Sequence, residues 1–286
     1  MLGPDLWDGS PQPNDLKCLS ASTVKEAMAR PTLEKWSIWE TARRTVAELP
    51  MLVELAETQP ALAERWIADS RWSGQRSQLS SADGGTLIHL VAEHWLRGEP
   101  APEVPQYLWP EMAQLQAWFQ AHRPTLHAAE LAVFHETHQV GGRFDAMAWI
   151  NGKLWLIDFK CHPTSSGWDR RGKAKPCYVD SNGIQLSVYA NATHYMTWEP
   201  RVCTAANGKG RLYLVSPEEY AQAEPMPKID GALVVDIWSD RCSMSEIDVS
   251  EAVFQRALAA RDLWYWLNVE ATPVTPTWQH DGRTQQ

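Results

Sequence analysis

The chain has 286 residues, with 44% hydrophobic and 21% charged residues and a formal net charge of −9. That is the composition of a folded globular protein, and the acidic balance argues against an indiscriminate nucleic-acid coat, which needs a basic surface. Five cysteines, odd in number and without a C-x-x-C pair, argue against a disulfide framework or a zinc knuckle. No apolar run reaches the roughly 18 residues of a membrane helix, and the first residues lack the basic and apolar regions of a secretory signal, so a cytoplasmic location is expected.

In chain order, residues 1–18 are rich in Pro, Gly and Asp and read as an extended arm. A helical pattern runs over residues 20–68, interrupted by Pro60. The polar stretch 69–85 reads as a loop. Residues 86–97 form a helix with Leu87, Ile88, Val91 and Trp95 on one side and Gly98 as its stop. A Pro-rich connector leads to a helix at 111–122. Strands are expected at 130–136, 142–150 and 154–161, then a polar loop over 162–182 and a helix at 183–195. Strands at 211–216 and 232–239, a helix at 249–268 and a flexible tail at 269–286 complete the chain. The sixteen tryptophans read mostly as core, with a minority left for stacking on bases. The organisation is one α/β domain over 19–268, helical over 19–125 and α/β over 126–268.

The most informative segment is the hairpin signal Asn151-Gly152 between two runs of strand formers. A two-residue loop pairs Ile150 with Lys153, and counting outward places Asp145 opposite Asp158. Their β-carbons would lie about 4.5–5.5 Å apart, where like charges repel. Side chains two apart share a strand face, so Lys160 joins Asp158. Two carboxylates and an ammonium converging there suggest a divalent-cation site. The bland alternative is an exposed edge, or pairing of the aspartates with Arg143 and Lys160.

Other candidates read two ways. Glu130 opens a strand and is either a third acid at that end of the sheet or a solvated end residue. His89 shares a helix face with Glu93 and is either a ligand or a surface histidine. Gln185 and Tyr189, four apart on a helix, can reach a phosphate or simply pack. Arg170, Arg171, Lys173 and Lys175 form the densest basic run, and either solvate a loop or contact phosphates. His135-Glu136-Thr137-His138 is one residue short of the H-E-x-x-H zinc spacing, and no Walker loop, dinucleotide fingerprint or G-x-S-x-G elbow occurs.

Taken together, Gly85-Thr86-Leu87-Ile88-His89 with Glu93, Glu130, Gly141-Gly142-Arg143-Phe144-Asp145, Ile157-Asp158-Phe159-Lys160 and Gln185 with Tyr189 resemble the PD-(D/E)XK nuclease superfamily. The likeness is to the RecB-like, phage-type exonuclease branch and spans residues 19–268; Leu19-Ser20-Ala21-Ser22-Thr23 also looks like phage members. The resemblance implies a restriction-endonuclease-like core, a mixed central sheet flanked by helices. His89, Asp145, Asp158 and the Phe159 carbonyl would be metal ligands for one or two Mg²⁺ or Mn²⁺ ions, with Glu130 assisting. Lys160 would orient or deprotonate the attacking water, and Gln185 and Tyr189 would position the scissile strand.

The implied activity is hydrolysis of DNA from its ends in phage-type recombination or repair, leaving 5′-phosphates. A structure-selective flap or branch endonuclease and a non-catalytic DNA- or protein-binding module are the rivals. A single-strand annealing protein is an implied partner. The iron–sulfur members need one upstream cysteine and a late C-terminal trio; here Cys242 stands alone in that region, so no cluster is expected.

Overall fold

The computed structural model describes residues 12–26, 42, 45–163, 165–169, 171–175, 179–204 and 210–266. It is a mixed α/β protein with two sheets rather than the one central sheet expected. The five-stranded sheet runs in the order β12 (Cys242–Ile247), β11 (Gly231–Ile237), β6 (Lys153–Cys161), β5 (Ala146–Ile150), β2 (Thr125–Ala129). β6 lies parallel to β11 and antiparallel to β5. Its apolar run is buried on both faces, as a central strand requires.

Leu154 and Leu156 face one core with Leu186 of α5 (Val179–Ala190) and Phe254, Ala257 and Leu258 of α7 (Glu251–Tyr265). Ile157 and Phe159 face the other, with Ile88 and Val91 of α3 (Pro60–Leu96) and Leu115 and Trp118 of α4 (Trp109–His122). Asp158 and Lys160 therefore belong to the face covered by α5 and α7.

The seven-stranded sheet runs β10 (Glu224–Pro225), β7 (His194–Met196), β3 (Ala132–His135), β4 (Val140–Arg143), β1 (Leu16–Ser20), β9 (Arg211–Val215), β8 (Arg201–Thr204). β1 is interior, parallel to β4 and antiparallel to β9. The arm expected up to residue 18 thus enters a sheet at Leu16; residues 1–11 lie outside the described residues, as does the expected tail. α1 (Ala21–Glu26) follows β1 directly.

The strand expected over 142–150 breaks between the sheets. At Phe144 and Asp145 the backbone leaves the β5–β6 ladder: the Phe144 amide donates to the Leu131 carbonyl (3.2 Å), and the Asp145 carbonyl accepts from the Glu130 amide (3.0 Å). Glu130 lies outside any strand with φ of +55°, a left-handed conformation uncommon for a non-glycine residue.

The loop expected at 69–85 is instead part of α3, which starts at Pro60 after α2 (Leu49–Thr58). Polar residues cost only tenths of a kcal/mol each once a helix is propagating. Gly84 also has a tertiary role, because a β-carbon there would meet Pro163 Cγ at 3.0 Å and Leu108 Cδ2 at 3.3 Å. The helix expected at 183–195 begins earlier and stops at Ala190, freeing residues 194–196 for β7. α6 (Pro217–Tyr220) carries a full capping box from Ser216 and Glu219. Among the described residues no helix is long and apolar enough to cross a membrane.

Candidate metal centre

The hairpin has the register its turn dictates, pairing Ile150 with Lys153 and continuing to Ala146 with Ile157. Asn151 (φ +52°) and Gly152 (φ +75°) hold the left-handed conformations of a type I′ turn. Met147 pairs with Leu156 and both face the α5 side, so alternation carries Asp145 toward the face of Asp158. The ladder ends one pair short of the aspartates because Asp145 has left it. The freed carboxylate accepts the Phe159 amide at Oδ2 (2.7 Å) and meets His89 Nδ1 at 3.4 Å. Phe159 thus touches this group through its amide.

His89 reaches the group from α3, Glu130 from the turn between β2 and β3, and Asp145 from the start of β5. Each offers a ligand atom within 4.8 Å of the other two. Burial raises the Glu130 carboxyl to about pKa 7; Asp145 adds to the rise and Arg143 opposes it. Glu130 Oε2 stands 4.0 Å from Arg143 Nε, too far to neutralise it fully.

Asp158 is not in that trio. It is 3% exposed, and its Oδ2 lies 2.5 Å from Lys160 Nζ in an ion pair. Asp158 is thus paired with Lys160, and the three side chains that lie within 4.8 Å of one another are His89, Glu130 and Asp145. Burial raises the Asp158 carboxyl above its ordinary range; Lys160 opposes that rise and Asp145 adds to it. Burial alone would depress the Lys160 ammonium, but the Asp158 and Asp145 carboxylates overcome it and hold it above its usual value.

The donor set fits a divalent ion. Two carboxylates suit Mg²⁺ or Mn²⁺, and the imidazole favours the transition ion. Glu130 and Asp145 repel each other at this separation, and a bound cation is one way to relieve that repulsion.

Beside the trio a cleft of about 330 Å³ is lined by Ser20, Ser22, Arg143, Tyr189, Glu199 and Arg211, among others. The Ser20 and Ser22 hydroxyls share a hydrogen bond of 2.5 Å. Arg143 is ion-paired with Glu199, which is 80% exposed and so a weak competitor for its guanidinium. The sequence offers Arg143 only as a partner for the aspartates, and does not mark Arg211 or the two serines as ligand groups. The signal available for Arg143 was its place two residues before Asp145; for the others, which come from distant segments, there was none.

Gln185 donates to the Tyr189 hydroxyl (3.1 Å), and its own oxygen accepts from Lys25 (3.2 Å). Tyr189 is buried behind Gly142, and burial holds its hydroxyl well above the usual pKa. Tyr189 lines the cleft, while Gln185 is not among its lining residues. Of the basic run, Arg170 lies outside the described residues. Arg171 and Lys173 are exposed, and Lys175 Nζ donates to the Ser166 carbonyl (2.6 Å). No protein-family model matches the chain, and no curated protein shows significant similarity to it.

Proposed function

We propose that the chain is a metal-dependent deoxyribonuclease that hydrolyses DNA from its ends. The observation that carries this reading is the meeting of His89, Glu130 and Asp145 within 4.8 Å, beside the buried Asp158–Lys160 pair. His89, Glu130 and Asp145 would hold the ion, with Asp158 available once Lys160 turns to substrate. A bound Mg²⁺ or Mn²⁺ would supply Lewis-acid polarisation of the phosphate and a coordinated water of lowered pKa. Lys160 carries its proton at Nζ and orients a water beside Asp158. Arg143 and Arg211, with the Ser20 and Ser22 hydroxyls, suit phosphate oxygens at the cleft. The PD-(D/E)XK core implied by the sequence resemblance is consistent with two acids and a lysine on adjoining strands.

The test is digestion of end-labelled linear duplex, single strand and covalently closed circle with Mg²⁺ or Mn²⁺. Linear DNA should be degraded and the circle spared, with loss of activity in EDTA and at least a hundredfold loss in Asp145→Asn and Lys160→Ala, the scale on which removed catalytic donors act. Cutting of the circle would mark an endonuclease. Full activity of both variants, or undiminished cleavage in excess EDTA, would refute the metal centre.

A further inference from the structure

Just past Lys160 the same two strands lead into a layer of rings. The His162 ring stacks on Trp238 with centroids 4.6 Å apart and planes 11° from parallel. The Arg241 guanidinium lies 5.1 Å from the Trp238 ring and 5.1 Å from the Trp168 ring. Trp238 is buried, whereas Trp168 is 46% exposed. The outermost member of the layer is thus an indole with solvent access, backed by a cation.

Several contacts make this layer a fixed surface. His162 Nε2 is held at 2.8 Å by Asp236, a buried residue that is the cross-strand partner of Lys160. The Ser239 amide and hydroxyl both donate to the Ser165 carbonyl, at 3.1 and 3.0 Å. Asp240 accepts the Gly167 amide (2.7 Å) and the Ser166 hydroxyl. Asp169 accepts the Arg171 and Lys173 amides, at 2.8 Å each. Gly167 is required by the layer itself, since a β-carbon there would collide with the Arg241 stem.

The charges around the layer are sorted by use. Of the nearby acids, Asp169 and Asp240 are engaged in shaping the loop and Asp236 holds His162, while the Arg171 and Lys173 side chains remain exposed and Arg241 lies in the stack. In a chain of net charge −9 this is a local cationic, aromatic surface. Aromatic faces backed by cations bind unpaired bases regardless of sequence, and neighbouring basic groups follow the phosphates.

From this we infer that the Trp168–Arg241–Trp238–His162 layer is a seat for an unpaired base of a single DNA strand passing to or from the metal centre. The inference rests on the nuclease reading for its substrate, but its test does not depend on cleavage. The full chain, held in EDTA, is titrated into labelled oligothymidylate and into a strand of the same length with abasic residues, and anisotropy is read. Trp168→Ala should weaken oligothymidylate binding by about 5- to 150-fold, the fold-change corresponding to loss of one base–aromatic stack. Trp168→Phe should recover most of it, and the abasic strand should bind wild type and Trp168→Ala alike.

Thermal melting of each variant checks the fold, which an exposed tryptophan should leave intact. Wild-type affinity in Trp168→Ala, equal wild-type affinity for the abasic strand, or no single-strand binding by wild type would overturn the seat. Strand binding through Trp168 without cleavage in Mg²⁺ or Mn²⁺ would sink the nuclease reading and keep the seat. Cleavage with a Trp168→Ala variant that binds normally would do the reverse.

Discussion

Replacing Glu130 with glutamine removes a carboxylate that folding pushes toward its neutral form. Its pKa rises from 4.5 to about 7 on folding, chiefly through burial and secondarily through Asp145. At roughly 1.4 kcal/mol per unit, this sets an upper limit of about 3 kcal/mol on the cost of ionising it in place. The side chain is 28% exposed, so solvent screening brings the expected cost to about 1–3 kcal/mol.

The sign follows from proton binding. The folded state holds the proton more tightly than the unfolded state, so the cost is absent below about pH 4.5. It grows as pH rises and levels off above about pH 7. Metal-free Glu130→Gln should therefore be more stable than wild type at pH 8 by about 1–3 kcal/mol, and nearly equal to it at pH 4.5. At about 2–4 °C per kcal/mol for a chain of this size, calorimetry in EDTA should register a higher Tm at pH 8 only. With Mn²⁺ added the order should narrow or invert. An ion bound at a hundred times its Kd contributes about 2.7 kcal/mol, and the variant has lost an anionic ligand. A stability difference independent of pH, or a variant less stable at pH 8 in EDTA, would refute the placement of Glu130 as a buried, repelled carboxylate.

Two further outcomes bear on the surroundings of the site. Lys160→Met leaves Asp158 buried without its cation and should cost about 3–5 kcal/mol in urea unfolding. Asp158→Asn combined with it should cost clearly less than the sum of the single changes, so strict additivity would contradict the ion pair. In Gly142→Ala the new β-carbon would lie 2.5 Å from Tyr189 Cε1 and 3.0 Å from its hydroxyl. Displacing that ring should cost about 1–3 kcal/mol, and an unchanged melting temperature would mean that Tyr189 is not seated there.

The hairpin was legible because its information is local. Asn151 and Gly152 accept left-handed backbone angles, two-residue turns admit one register, and alternation then assigns the faces of Asp158 and Lys160. The strands at β9 and β11 and the helix at α7 were likewise readable from short apolar patterns. Residues 142–150 gave no warning of their break, since the alternation continues through Phe144 and Asp145 while hydrogen bonds to Glu130 and Leu131 divert the chain. The polar stretch over 69–85 reads as a loop, but a helix already begun at Pro60 propagates through polar residues at little cost each.

The turn chemistry and the order of acidic, basic and apolar residues were thus enough to bring Asp145 near Asp158, since neighbours in sequence set that geometry. Gathering His89, Glu130 and Asp145 depended on α3, the β2–β3 turn and the start of β5 coming together. Such positions follow from the three-dimensional fit of distant segments and from electrostatics in a shared buried space, neither of which a one-dimensional pattern encodes.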